Sequence, residues 1–259
     1  MSDSAPPLAL GKLFLVPAPL DFGCSIQAPL NEVLPLQTLE TAARLTHWIS
    51  ENAKSTRAYL KRVNELHPLA TTLQQLQIQE LPHAVHKKGD HAGEYDAKPL
   101  LAPALKGFDM GLVSEAGMPA VADPGSSVVR AAHDLGIAVA PLVGPVSLLL
   151  ALAASGLNGQ NFAFVGYLPQ EAGQRRERIR QLESMAQKTG QTQLIIETPY
   201  RNTALLQALL QSLQPGTRLA LSVGLTLDAQ SNQCMTVKNW RAAKNMPNLQ
   251  LPAVFAIGL

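Results

Sequence analysis

The chain has 259 residues, of which 46% are hydrophobic and 15% charged, and this composition excludes a disordered protein and predicts one large or two medium domains. The 21 Lys and Arg residues nearly balance the 19 Asp and Glu residues, so the formal net charge of +2 excludes a protein that coats nucleic acid through its overall charge. Only two cysteines are present, Cys24 and Cys234, and neither belongs to a CxxC pair, which argues against a disulfide framework and a cysteine zinc site.

Short apolar runs alternate with helical patterns along the first half of the chain, which predicts an α/β architecture in which helices cross over a mainly parallel sheet. The predicted strands are residues 13–16, 46–50, 110–113 and 137–142. The predicted helices are residues 53–66, a segment that begins with Asp123 as N-cap and ends at Gly136, and residues 147–155. Residues 67–107 give no clear pattern, and we expect mixed structure there.

The same alternation resumes in the second half of the chain. The predicted strands are residues 162–166, 193–197, 219–223 and 252–257, and the predicted helices are residues 172–187 and 202–213. We place a domain boundary near Val143. The sequence therefore predicts two α/β domains with mainly parallel sheets, an N-terminal one over residues 1–143 and a C-terminal one over residues 144–259.

Ligands of open α/β sheets bind beyond the carboxyl ends of the strands, so the loops after the predicted strands are the candidate sites. Ser114–Pro119 follows one such strand and consists mainly of small residues, which allow main-chain groups to approach a ligand. A tight turn without a ligand is the alternative interpretation. Neither GxGxxG nor GxxxxGK[ST] occurs, which disfavours ordinary dinucleotide and P-loop sites.

A basic run at residues 175–180 is a candidate phosphate-binding surface. Its four guanidinium groups are able to grip phosphates in pairs, and they belong to Arg175, Arg176, Arg178 and Arg180. A solvated helix face is the alternative interpretation. No HExxH or HxH spacing occurs and Ser155-Gly156 is not a GxSxG elbow, so we expect neither a metal site nor a serine hydrolase.

Several of these stretches together resemble the tetrapyrrole methylase superfamily of S-adenosylmethionine (SAM)-dependent methyltransferases, within it the ribosomal RNA small subunit methyltransferase I branch. The matching segments are collinear and leave residues 64–107 least covered: Leu15-Val16-Pro17-Ala18-Pro19, Ser114-Glu115-Ala116-Gly117-Met118-Pro119, Ala122-Asp123-Pro124-Gly125, Val143-Gly144-Pro145-Val146-Ser147, Ala154-Ser155-Gly156-Leu157, Phe164-Val165-Gly166-Tyr167-Leu168-Pro169 and Glu197-Thr198-Pro199-Tyr200-Arg201. Such an ordered set is more specific than a lone glycine motif.

The resemblance implies two α/β domains with SAM in the cleft between them, and a homodimer. It also implies a set of cofactor contacts, many of them through the main chain. By position these are Pro19, Glu115, Ala116, Gly117, Met118, Val121, Val146, Ser147, Ile196, Glu197, Leu225 and Thr226.

The chain departs from the branch at three motifs, which marks it as a divergent relative. The histidine-rich HEHN-like segment of the branch has no clear counterpart here. The usual Glu-Asp-Thr-Arg after the second strand is represented here by the stretch from Glu51 to Arg57, and the usual Glu-Leu-Thr-Lys is represented by Gly224-Leu225-Thr226-Leu227. We predict Glu51 and Arg57 as the catalytic residues, Glu51 as proton acceptor and Arg57, together with Lys54, on the flanking phosphate. Alternatively, Glu51 only caps the following helix or forms a salt bridge with it.

The resemblance implies a SAM-dependent methyltransferase that acts on a ribose 2′-hydroxyl of ribosomal RNA, with Lys54, Arg175 and Arg176 as substrate-binding residues. Two alternatives remain open: methylation of a small tetrapyrrole-like molecule, and SAM binding for regulation without catalysis. No positively charged leader and no 18-residue apolar run occurs, so we expect neither a signal peptide nor a membrane partner, and a cytoplasmic location.

Overall fold

The computed structural model describes residues 9–82, 84–85, 90, 93 and 95–259. The chain divides into two compact units: one includes the residues up to Phe22 and Ala28–Pro145, and the other comprises Gly23–Gln27 and Val146–Leu259. The domain ranges 1–143 and 144–259 remain our proposal. The start of the chain, where a leader was considered, and part of the unassigned stretch 67–107 lie outside the described residues. No helix among the described residues is long and apolar enough to span a membrane.

The first unit contains a parallel sheet of five strands. They are β1 (Leu13–Leu15), β2 (His47–Ser50), β3 (Gln77–Glu80), β4 (Met110–Val113) and β5 (Val139–Pro141). The strand order is β3-β2-β4-β1-β5, and every neighbouring pair is parallel. All five strands therefore end at one edge of the sheet, which is where open parallel sheets bind ligands.

Helices connect these strands and cover both faces of the sheet. They are α1 (Leu30–Val33), α2 (Leu36–Arg44), α3 (Ala53–Leu66), α4 (Ala102–Leu105), which follows a 3-10 helix at Lys98–Leu101, and α5 (Ser126–Asp134). Leu13 and Ile49 belong to the hydrophobic cluster on one face, and Phe14 and Trp48 belong to the cluster on the other. This alternation explains why the strands read as continuous apolar runs.

Gly111 of β4 allows the Trp48 ring to lie against the sheet. A Cβ atom at Gly111 would lie 2.5 Å from two atoms of that ring. Trp48 is fully buried and its indole N–H donates to the carbonyl of Leu45 at 3.2 Å. The strand thus needs glycine here for packing rather than for a special backbone angle.

The second unit contains a mixed sheet of five strands. They are β6 (Phe162–Phe164), β7 (Thr192–Glu197), β8 (Arg218–Val223), β9 (Ser231–Thr236) and β10 (Ala253–Gly258). The order is β6-β7-β10-β8-β9, where only β6 and β7 are parallel, and β10 runs antiparallel to both of its neighbours. The α/β class is confirmed, but the prediction of a mainly parallel sheet is wrong for this unit, because the closing strand inserts between β7 and β8.

Four helices and a 3-10 turn accompany this second sheet among the described residues. They are α6 (Ser147–Ser155), α7 (Ala172–Thr189), the 3-10 turn Pro199–Arg201, α8 (Asn202–Ser212) and α9 (Val237–Ala242). The core of this unit includes Phe255 of β10 and Trp240 of α9. Trp240 donates its indole N–H to the carbonyl of Leu219 at 2.7 Å, which ties α9 to β8.

Helix α5 begins later than predicted and is capped by a distant residue. Its N-cap is Gly125, with φ of 137°, and not Asp123. The Asp90 carboxylate accepts hydrogen bonds from the main-chain N–H groups of Gly125 and Ser127 at 2.9 and 2.8 Å, and from the hydroxyls of Ser126 and Ser127 at 2.7 and 2.5 Å. Burial opposes the charged form of Asp90, but these hydrogen bonds outweigh it and lower the pKa of the carboxyl. The Asp123 side chain therefore does not cap α5.

Candidate functional site

Two loops at the carboxyl edge of the first sheet are joined through their main chains. The N–H of Ala18, after β1, donates to the Gly117 carbonyl at 2.9 Å, and the N–H of Gly117, after β4, donates to the Ala18 carbonyl at 3.0 Å. Gly117 has φ of 71°, and a Cβ atom there would lie 3.2 Å from Leu20 Cδ2. The predicted cofactor contacts Pro19 and Gly117 are thereby held at one end of the sheet.

The loop from Ser114 to Gly125 contains unusual backbone angles. Four of its residues have positive φ: Gly117 at 71°, Ala120 at 64°, Ala122 at 64° and Gly125 at 137°. Alanine in this region of φ costs about 1–2 kcal/mol, so the loop is more constrained than an ordinary turn. Strained segments that the surrounding structure maintains are concentrated at functional sites, and this favours the functional interpretation of the loop over the tight-turn alternative.

Three carboxyl groups lie near one another at this edge, those of Glu51, Glu115 and Asp123. The N–H of Glu115 donates to Glu51 Oε2 at 3.4 Å. Burial, together with the negative charges of Glu51 and Glu115, raises the pKa of Asp123 to about 7. The Asp123 carboxyl accepts no hydrogen bond from the described residues that would stabilise its charged form. A carboxyl that titrates near neutral pH in a strand-end loop is a candidate acid or base.

Glu51 does not cap helix α3. The cap is Asn52, whose side-chain oxygen accepts from the N–H groups of Lys54 and Ser55 at 2.9 and 3.2 Å. Glu80 Oε1 accepts from the N–H of Ala53 at 2.6 Å. The capping alternative for Glu51 is therefore wrong, and its carboxylate is directed to the β4 loop instead.

Helix α3 carries four basic side chains that differ in exposure. Lys54, Arg57 and Lys61 are exposed, and none of them takes part in an ion pair among the described residues. Arg62 donates to both oxygens of the buried Asp21 carboxylate at 3.0 Å and to the Ala28 carbonyl at 2.6 Å. Arg62 therefore stabilises the fold, whereas the three exposed cations are available to a phosphate.

An open groove lies beside the strained loop within the first unit. Its volume is ≈ 610 Å³, and its lining includes Met118 and Val121, two of the predicted cofactor contacts, together with Val129 of α5. Arg130 and His133 also line it. The groove thus presents mainly apolar surface beside a basic side chain.

The predicted cofactor contacts of the second unit lie at or just after the ends of its strands and at the start of its first helix. Val146 is the N-cap residue of α6 and Ser147 begins that helix. The N–H of Ile196 donates to the Gly166 carbonyl at 3.3 Å, and Leu225 is 9% exposed. Thr226 has φ of 70°, and its buried hydroxyl oxygen lacks a hydrogen-bond partner among the described residues. Such an orphaned hydroxyl is a polar group that a ligand would satisfy.

Glu197 uses its carboxylate within the second unit. Arg201 Nη2 donates to both carboxylate oxygens at 2.7 Å, and the N–H of Thr198 donates to Oε1 at 2.8 Å. The Glu197 side chain is only 6% exposed in this ion pair. A contact from Glu197 to a cofactor would therefore have to come from its main chain.

The basic run lies on helix α7, whose first turn is well defined. Glu171 caps the helix and accepts from the N–H groups of Gly173 and Gln174 at 2.8 and 2.6 Å. Arg175 donates from Nη1 to the Gln170 carbonyl at 3.3 Å, and its Nε is buried without a partner among the described residues. The exposed arginines are Arg176, Arg178 and Arg180.

Comparison with known proteins gives a family for this arrangement. The family model described as Tetrapyrrole (Corrin/Porphyrin) Methylases matches residues 36–237. The chain belongs to this family. The resemblance drawn from the sequence motifs is confirmed.

Curated relatives of the chain carry one common name, Ribosomal RNA small subunit methyltransferase I. The protein from Mesorhizobium japonicum is 34% identical over 193 residues, 74% of this chain and 59% of that protein. The protein from Escherichia coli O157:H7 is 31% identical over 174 residues, 67% of this chain and 52% of that protein. The protein from Vibrio cholerae is 33% identical over 146 residues, which are 56% of this chain and 49% of that protein. The chain thus spans about half the length of the curated relatives it matches.

Solved structures with the same fold extend over nearly the whole chain. The methyltransferase CobJ is 16% identical with a TM-score of 0.54, and the alignment covers 96% of this chain and 94% of that one. The native form of uroporphyrin III C-methyl transferase from Thermus thermophilus is 16% identical with a TM-score of 0.51, covering 96% and 97%. These likenesses establish the tetrapyrrole methylase fold.

Sequence reasoning missed two groups of residues at the strand ends. The sequence around Asp123 predicts a helix cap, although its position in the Ala122–Gly125 motif is a signal for the site. Tyr167, Tyr200 and Arg201 belong to matching motifs, but the motifs alone assign them no role. The signal for Arg201 was its spacing of four residues from Glu197, which places the two charges together.

Proposed function

We propose that the protein transfers a methyl group from SAM to RNA, with a ribose 2′-hydroxyl of small-subunit ribosomal RNA as the acceptor. The observation that carries the proposal is the carboxyl cluster Glu51, Glu115 and Asp123 beside the constrained loop at the carboxyl edge of the first sheet. Membership in the methylase family and the names of the curated relatives support the same reaction and acceptor.

One feature of the predicted contacts in each unit supports the binding of SAM. In the first unit, Gly117 carries no side chain that could obstruct a ligand, and a Cβ atom there would lie 3.2 Å from Leu20 Cδ2. In the second unit, the buried hydroxyl of Thr226 needs a partner. When bound, SAM supplies an activated methyl carbon. The residues proposed to hold it are Pro19, Glu115, Ala116, Gly117, Met118, Val121, Val146, Ser147, Ile196, Glu197, Leu225 and Thr226.

The protein must position the acceptor and remove a proton from it. A ribose hydroxyl is a poor nucleophile at neutral pH, and a base is most effective when its pKa is near the working pH. We assign this role to the Asp123 carboxylate, whose pKa is raised to about 7. The charges of Glu51 and Glu115 contribute to this rise, so Glu51 acts through Asp123 as a positioning residue. In this proposal Asp123 accepts the proton, in place of Glu51.

The RNA is held, in this proposal, by cations near the starts of two helices. Lys54 and Arg57 are exposed on the first turns of α3, which follows Glu51 directly. The partly buried Arg175 and the exposed Arg176 lie within the first two turns of α7. Cations without ion-pair partners can exchange bound counterions for phosphates, which makes RNA affinity dependent on salt concentration. We further propose that the whole protein is cytoplasmic and works as a homodimer.

The experiment that tests the proposal measures transfer of a labelled methyl group from SAM to small-subunit RNA. Wild-type protein is expected to label the RNA, and Asp123→Asn is expected to lose about 10²- to 10⁴-fold in rate while it still binds SAM. Label in a tetrapyrrole but not in RNA would contradict the acceptor. SAM binding without transfer to either acceptor would contradict the catalytic role.

A further inference from the structure

Two tyrosine side chains are exposed to solvent at one edge of the second sheet. Tyr200 is 77% exposed and Tyr167 is 57% exposed. They follow β7 and β6, which are parallel neighbours with Phe164 opposite Leu194. Because parallel strands end at the same edge, both rings lie at the carboxyl edge of this pair. Two exposed aromatic rings at the same edge are a candidate recognition surface.

The guanidinium of Arg201 lies near both tyrosines. Its guanidinium carbon is 6.0 Å from the centre of the Tyr200 ring. The hydrogen bonds with Glu197, followed by smaller effects of the nearby Tyr200 and Tyr167 hydroxyls, raise the pKa of Arg201. Since Nη2 alone contacts Glu197, the guanidinium keeps donors for a further partner. One cation and two phenol rings thus form a single polar and aromatic surface.

The turn that presents Tyr200 is rigid. The N–H of Arg201 donates to the Thr198 carbonyl at 2.8 Å, and both the N–H and the hydroxyl of Thr198 donate to Glu197 Oε1 at 2.8 and 3.3 Å. Pro199 begins the 3-10 turn and fixes one further backbone angle. A turn whose backbone is already fixed loses little backbone entropy when a planar ligand stacks on the ring that it presents.

We propose that Tyr200, Tyr167 and Arg201 form a platform on which an unpaired nucleobase of the RNA stacks, with Arg201 facing the sugar–phosphate beside it. The proposal rests on the proposed function, since it assumes that RNA is the substrate. Exposed aromatic rings next to arginine are the common means by which proteins hold single-stranded nucleic acid without sequence preference. Charge favours RNA over a protein partner, because the Tyr167 segment leads into α7, which exposes Arg176, Arg178 and Arg180.

The test compares RNA affinity and SAM affinity in matched variants. The RNA probe is a single-stranded oligouridylate, measured by fluorescence anisotropy at fixed salt concentration, and SAM binding is measured by calorimetry. Tyr200→Ala is expected to weaken RNA binding roughly 5- to 150-fold, which corresponds to the loss of one stacked base. Tyr200→Trp is expected to retain the affinity. SAM affinity is expected to stay unchanged in both variants.

Phe162→Ala is the matched control, because Phe162 is a partly exposed aromatic at the opposite end of β6. It is expected to leave RNA affinity unchanged. Tyr200→Trp also provides a direct signal: stacking of a base on the new indole is expected to quench its fluorescence, whereas Trp48 and Trp240 are buried and do not respond to it.

The outcomes separate the platform from the proposed function. If wild-type protein binds and methylates RNA but Tyr200→Ala binds equally well, the platform is wrong and the proposed function stands. If wild-type protein does not bind RNA, both are wrong. If the loss of RNA affinity in Tyr200→Ala accompanies dissociation of a dimer in sedimentation, the tyrosines belong to an interface between copies and the platform is overturned.

Discussion

Ala18 and Gly117 each donate a main-chain hydrogen bond to the other, at 2.9 and 3.0 Å, although they follow different strands of the first sheet. This pair fixes the loop after β1 against the loop after β4. The second loop then passes through Ala120 and Ala122, both at φ of 64°. The Asp90 carboxylate caps α5 directly after this loop. Asp123 is therefore held on a segment that is fixed at both ends.

Replacement of Gly117 by alanine should affect both stability and SAM binding. The left-handed backbone at φ of 71° and the 3.2 Å approach to Leu20 predict a loss of about 1–2 kcal/mol in the free energy of unfolding. Gly136→Ala is the control, because Gly136 has φ of 70° with no atom within 4 Å of its Cβ position. Urea unfolding should show a loss of stability in both variants, whereas calorimetry should show weakened SAM binding only for Gly117→Ala. Equal SAM affinity in the two variants would remove Gly117 from the cofactor site.

The pH dependence of methyl transfer should report the Asp123 carboxyl. Because a base must be deprotonated, the rate is expected to rise with pH through about 7, the pKa of Asp123. In Glu51→Gln one neighbouring negative charge is gone, so the pKa of Asp123 falls and the rise should move to lower pH. Glu40→Gln, on α2 and exposed, should leave the profile in place. If Glu51→Gln abolishes the rise, Glu51 is itself the base, and if it leaves the rise in place, the charge of Glu51 does not act on the base.

The same carboxyl links stability to pH. The pKa of Asp123 is raised in the folded state above its ordinary value of 3.8, so the native state binds more protons than the unfolded state between about pH 4 and 7. The contribution of this group to stability is therefore full at low pH and decreases as the pH rises through 7. Asp123→Asn removes the penalty, and thermal unfolding should show that it stabilises the protein more at pH 8 than at pH 5. The same stabilisation at both values would contradict the raised pKa.

Arg62 and Lys98 should differ sharply in their importance for the fold. Arg62 pairs with Asp21, whose side chain is 2% exposed, so Arg62→Ala leaves a buried charge and should cost about 3–5 kcal/mol in unfolding free energy. Lys98 pairs with Asp134 at 3.7 Å, with both side chains about half exposed, and Lys98→Ala should cost about 0–1 kcal/mol. Denaturant unfolding measures both. Similar losses in the two variants would contradict a structural role for Arg62.

Exposed cations at the start of α3 should determine part of the salt dependence of RNA binding. Lys54→Ala and Arg57→Ala should each weaken binding and reduce the slope of log affinity against log salt concentration by about 0.7 to 1. Lys12→Ala is the control, since Lys12 precedes β1 at the other end of the sheet. Filter binding over a range of salt concentrations measures the slopes. An unchanged slope in Arg57→Ala would exclude a phosphate contact there.

Strands with buried apolar sequences and the parallel direction of the first sheet are predictable from the sequence, whereas the direction of β10 and the polar strands are not. Leu13–Leu15 and Met110–Val113 read as short apolar runs because their residues are packed on both faces. The sequence Ser231–Thr236 is polar, since β9 lies at the edge of its sheet, and no periodic signal marks it. The antiparallel insertion of β10 between β7 and β8 depends on contacts between distant segments, which a local pattern cannot contain.

The family motifs predicted where the site lies, but long-range contacts decide what its side chains do. The Asp-Pro-Gly sequence at Asp123 has the local signature of a helix N-terminus. Asp90, more than thirty positions earlier, supplies the cap instead, and no pattern near residue 123 reveals it. Likewise Arg62 has the sequence appearance of a surface cation, and only the folded chain brings it to Asp21.

Transfer of a tritiated methyl group from SAM to small-subunit ribosomal RNA, followed by alkaline hydrolysis, tests the proposed reaction and its acceptor together. Alkali cleaves RNA through the 2′-hydroxyl, so a methylated ribose leaves an uncleaved dinucleotide. We predict that wild-type protein places the label in alkali-resistant dinucleotides and that Asp123→Asn does so at least 10²-fold more slowly. Label that is released with mononucleotides, or RNA that remains unlabelled while the protein binds SAM, would contradict methyl transfer to a ribose hydroxyl.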